Sequence, residues 1–112
     1  MIPWELIDRA LVPGGAELSL LRRGQEYSIR ADGEELMNSR LHGSEEMLAE
    51  MACDRISERR GATVLVGGLG LGFTTAAALR VLGPDARVLV AELVPAVVAW
   101  NRGPLAHLAD YP

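Results

Sequence analysis

Cysteine is almost absent from this chain. Cys53 stands alone in 112 residues, which excludes an internal disulfide and any cysteine-based metal cluster. Histidine is nearly as scarce: His42 and His107 are the only two and lie far apart in sequence, a poor basis for a zinc site. No apolar run reaches ~18 residues without glycine clusters, charge or proline, so no membrane span is expected. The start, Met1-Ile-Pro-Trp-Glu-Leu-Ile-Asp-Arg, has neither the basic residues nor the apolar stretch of a signal peptide, and a cytoplasmic address follows. The eleven basic residues are scattered, the net charge is −4 and the pI is near 5.1. Nothing there offers a surface to a polyanion, so nucleic acid is not an expected partner. None of Ser19, Ser28, Ser39, Ser44 and Ser57 sits in a nucleophile-elbow context, so a serine hydrolase is not supported.

What is present is a packed sequence, 49% apolar, of a length that suits one domain. Residues 3–10 suggest a short helix with Pro3 at its first turn, stopped by Pro13-Gly14-Gly15. Short extended pieces follow at 18–21, 27–30 and 35–38, separated by Arg23-Gly24-Gln25 and Asp32-Gly33. Such turn signals between short runs predict a three-stranded antiparallel meander.

From Ser44 the texture changes. Ser44 suits an N-cap, Glu45 and Glu46 suit the positive end of a helix dipole, and helical spacing runs to about Arg59. Residues 63–66 are apolar and β-branched, the pattern of a strand buried on both faces. Residues 74–82 are rich in alanine and leucine and end at Gly83-Pro84, a helix stop. Residues 87–91 form a second apolar run, and Pro95 opens another helix through Trp100, stopped by Gly103-Pro104. Residues 105–112 could add one more helical turn. The expected fold is therefore α/β: a short helix and a β-meander over residues 1–40 and a βαβ unit over 41–112, together one compact unit.

The chemistry concentrates in Val64-Leu-Val-Gly-Gly-Leu-Gly-Leu-Gly and in Glu92, twenty residues after Gly72. A strand entering a glycine turn and then a helix leaves backbone N–H groups free at a helix N-terminus. Gly68, Gly70 and Gly72 permit positive φ and close approach of a ligand. Glu92, ending the neighbouring strand, is placed to accept hydrogen bonds from ribose hydroxyls. The dinucleotide pattern Gly-x-Gly-x-x-Gly would put its third glycine at Phe73. The pattern here is Gly-x-Gly-x-Gly, which favours an S-adenosylmethionine type of nucleoside bound by Gly68, Leu69, Gly70, Gly72 and Glu92. The competing reading is tight strand–helix packing with Glu92 as a solvated strand end.

Val64-Leu-Val-Gly-Gly-Leu-Gly-Leu-Gly-Phe-Thr and Val90-Ala-Glu-Leu-Val-Pro-Ala-Val-Val-Ala-Trp-Asn-Arg-Gly resemble spermidine synthase-like proteins of the class I methyltransferase superfamily. Met37-Asn-Ser-Arg-Leu-His-Gly-Ser-Glu-Glu-Met-Leu-Ala-Glu is similar to their segment before the first Rossmann helix, so the resemblance runs from about residue 17 to the end. It implies a truncated Rossmann-like unit after a β-meander, with S-adenosylmethionine or its decarboxylated form as ligand. Three departures stand out. Leu71 occupies the place of an aspartate in the family's glycine loop, and Ser44 and Glu45 stand where a tyrosine and a histidine or glutamine are usual. The resemblance places the amine-handling aspartates beyond Pro112, so aminopropyl transfer by this chain alone is not expected.

On that resemblance the strand at 63–66 lacks one neighbour and presents an open edge. A homo-oligomer pairing near Thr63–Gly67 is the expected solution, a two-fold dimer being the simplest. The alternatives are a non-enzymatic oligomeric module with a vestigial site, or an enzyme of another class using the exposed crevice. Among lesser candidates, His42, His107 and Glu46 could serve chemistry, but turn, tail and helix-start roles suit them better. Trp4, Trp100 and Cys53 read as packing residues.

Overall fold

The computed structural model describes residues 2–109. The first strands arise from turn chemistry. β1 (Glu5–Leu11), β2 (Glu17–Arg23), β3 (Glu26–Ala31) and β4 (Glu34–Asn38) form one antiparallel sheet in chain order. The β3–β4 connection is Asp32-Gly33 at φ 49° and 87°, two consecutive positive values that match a type I′ hairpin turn and the twist of its strands. The meander therefore has four strands and not three. Residues 3–10 are not helical: β1 pairs with β2 from Glu5↔Arg22 to Leu11↔Glu17. An irregularity between Leu6 and Asp8 breaks the two-residue alternation in this strand, and that break, with Pro3 ahead of it, mimics a helical spacing.

The second part alternates. α1 (Gly43–Asp54) leads to β5 (Thr63–Gly67), α2 (Phe73–Val81), β6 (Arg87–Ala91) and α3 (Pro95–Arg102). His42, not Ser44, holds the N-cap position, without a side-chain capping bond; Glu45 and Glu46 do occupy the first turn. The helix stops at Asp54 and not near Arg59. Beyond it the N–H groups of Ile56 and Arg59 each bond three residues back, a tightening into turns that Gly61, at φ 61°, completes. β5 and β6 run parallel, in register from Thr63↔Arg87 to Gly67↔Ala91. Residues 103–109 form turns. The suggested helical turn at the end lies partly outside the described residues.

Two cores result. Leu18, Leu20, Tyr27 and Ile29 of the meander pack with Leu71, Val94, Val97, Trp100 and Leu105, so the sheet is built onto the glycine turn and α3. Ala49 and Cys53 of α1 pack with Ala77, Ala78 and Leu82, flanked by Val64 and Val88 of β5 and β6. Among the described residues, helices cover only that face of the parallel pair. The expectation that 63–66 is buried on both faces fails: Leu65 is 68% exposed and its register partner Leu89 46%. Among the described residues β5 pairs with β6 alone. No helix of the described residues is long and apolar enough to cross a membrane.

Candidate functional site

The glycine turn between β5 and α2 does adopt the backbone its sequence requires. Gly68, Gly70 and Gly72 have φ of 87°, 55° and 86°, left-handed values that L side chains reach only under strain. They do different work. A Cβ on Gly68 would meet nothing within 4 Å, whereas one on Gly70 would lie 2.8 Å from Met37 Sδ. Gly72 is the N-cap of α2. Open space lies beside Gly68, and Gly70 is where the meander touches the turn.

Glu92 holds this turn in place. Its Oε1 accepts from Leu69 N–H at 2.8 Å and its Oε2 from Val94 N–H at 3.0 Å. Asn101 of α3 donates from Nδ2 to the carbonyls of Gly70 (2.7 Å) and Val97 (2.9 Å), which ties the turn to α3. Each Glu92 oxygen still has a second lone pair for an outside donor. Among the described residues, the N–H groups of Gly70 and Leu71 donate to no protein acceptor.

A cavity of ≈330 Å³ opens on this turn. Gly67 to Leu71, Phe73, Thr74 and Glu92 line one part of it, and Leu18, Ile29, Leu36 and Met37 of the meander supply an apolar wall. Its size falls within the usual range for small-molecule pockets, about 300–1,000 Å³. Glu45 also lines it. Thr74 Oγ1 donates to the Glu45 carbonyl at 3.1 Å, joining the first turns of α1 and α2.

Gly68, Leu69, Gly70 and Glu92 are thus brought to one cavity, with Gly72 beside them as the helix cap. Leu71 lines the cavity too, yet is 4% exposed and belongs to the first core. His42 does not line the cavity. Its ring stacks on Phe73, centroids 3.9 Å apart, and its Nδ1 pairs with Glu46. Glu46 in turn lies 3.5 Å from Arg80. His107 packs edge-on against Tyr27. Trp100 is buried, its indole N–H donating to Asp8 at 2.8 Å, while Trp4 lies under Arg23 and Arg30. Cys53 is buried, which pushes its thiol pKa up.

The sequence reading missed Met37, Leu36 and Asn101. Met37 and Leu36 look like any strand residues, and Asn101 like any polar residue on a helix. Compared with models of known protein families and with the sequences of curated proteins, the chain matches none.

Proposed function

We propose that this chain binds S-adenosylmethionine or a related nucleoside at the turn between β5 and α2, on a Rossmann-like unit. The observation that carries the reading is one cavity shared by the open backbone at Gly68 and the carboxylate of Glu92, whose remaining lone pairs suit the hydroxyls of a ribose. The charge of the lining supports a nucleoside over a dinucleotide: its charged residues are Glu45 and Glu92, both acidic, and a pyrophosphate would meet repulsion there. The resemblance to spermidine synthase-like proteins points the same way, and a cytoplasmic address belongs to this reading. It is a proposal of binding and assigns no catalytic residue.

Isothermal titration with S-adenosylmethionine, methylthioadenosine and NAD tests it. The first two should bind and NAD should not. Glu92→Ala should weaken nucleoside binding by about 1–3 kcal/mol, the cost of losing buried hydrogen bonds. Equal affinity in the wild type and the variant would remove the ribose role.

A second proposal concerns the outer edge of β5, which pairs with another copy of the chain. Thr63–Gly67 contains no charge, Leu65 is exposed, and no strand covers this edge among the described residues. An antiparallel copy centred on Leu65 would set that residue against itself. Light scattering at micromolar concentration should give more than the mass of one chain.

A further inference from the structure

We propose that Glu45 is the specificity-determining residue of this site: it holds a positively charged group on the ligand, the task for which the glycine turn has no acid of its own. The inference rests on the nucleoside reading above and names the kind of nucleoside, one carrying a cation. Leu71 is buried in the core and offers no charge to the cavity. The other acidic residue of the lining, Glu45, comes instead from the first turn of α1.

The partners of the three carboxylates near the turn separate their roles. Both oxygens of Glu92 accept backbone N–H groups. Glu46 is paired with His42 and Arg80. Glu45 is half-buried, and among the described residues its carboxylate accepts only the hydroxyl of the adjacent Ser44, at 3.3 Å. Among the described residues no arginine lines the cavity, and the chain contains no lysine, all eleven of its basic residues being arginines. Leu18, Ile29, Leu36 and Met37 make part of the lining apolar. A cationic group brought into the cavity beside Glu45 would meet acidic charge in its lining and no positive one among the described residues. The bond from Thr74 to the Glu45 carbonyl fixes the base of this side chain relative to the glycine turn. The positive end of the α1 dipole also favours an acid here, so the test must read ligand choice and not stability.

The test titrates S-adenosylmethionine, which carries a sulfonium and an ammonium group, against neutral methylthioadenosine, which shares its adenosine. Wild type should prefer S-adenosylmethionine by about tenfold, the scale of one charge-assisted hydrogen bond. Glu45→Gln should erase that preference by weakening S-adenosylmethionine alone. Glu46→Gln, the adjacent control, should leave the preference intact. An unchanged preference in Glu45→Gln, or no preference in the wild type, overturns the role of Glu45 while the nucleoside reading survives. Failure of both probes to bind wild type overturns the nucleoside reading and this inference with it.

Discussion

Gly70 shows how one residue can satisfy two demands at once. Its φ of 55° calls for glycine by itself, and an alanine there should cost about 1–2 kcal/mol from backbone strain. The added Cβ would also press on Met37 Sδ at 2.8 Å. Gly70→Ala should therefore destabilise the fold further, and Met37→Ala should relieve the steric part but not the backbone part. The double variant is expected to lose less stability than the two single variants summed. Urea unfolding checks this, and strict additivity contradicts the contact. The need for glycine was legible in the sequence, because only glycine enters that backbone region freely. The contact was not, since Met37 reaches the turn from a strand far back in the chain. Glu92 is a similar case. Its place at the end of β6 followed from spacing, but its bonds to Leu69 and Val94 show that it also builds the turn.

Elements meet where the antiparallel sheet joins α3. β1 brings Asp8 against Trp100, whose indole donates to the carboxylate at 2.8 Å. That bond, with a second from Arg9 N–H, holds the Asp8 carboxyl below its ordinary value of 3.8. A carboxyl depressed in the folded state contributes stability that is full above its unfolded value and is lost as pH falls through the folded one. Acid titration should thus weaken the β1–α3 junction only below about 3.8, the ordinary value. Trp100 fluorescence, read in a Trp4→Phe background, should report the change, and Asp8→Asn should remove that pH dependence. An identical acid profile in the variant would show that the bond contributes nothing. This junction depends on β1 being a strand. The sequence concealed that, because the irregularity after Leu6 moves apolar residues off alternate positions.

On the scale of the whole molecule, burial is one-sided around the parallel pair. The helices cover Val64 and Val88, while Leu65 and Leu89 remain open on the other face. A cavity of ≈210 Å³ runs between α1 and the outer edge of β5, lined by Leu48, Ala52 and Leu65 among others. An uncharged open edge beside such a groove invites pairing, and a lysine in an edge strand discourages it. Leu65→Lys should shift the chain to the mass of a single copy while leaving the melting temperature of the monomer nearly unchanged, because Leu65 has little to lose on its exposed face. A wild type that already scatters as one chain would end the proposal.

The sequence by itself determined the α/β class, the glycine turn, the parallel strand pair and the acid at the end of β6. Each rests on local chemistry: positive φ requires glycine, proline and glycine stop helices, and apolar β-branched runs form strands. Only the tertiary structure decided that residues 5–11 form a strand, that β5 is open on one face, and that Met37, Asn101 and Glu45 gather around the turn. Those outcomes depend on contacts between residues distant in sequence. A strand edge or a cavity wall is set by what packs against it, and no local pattern records that.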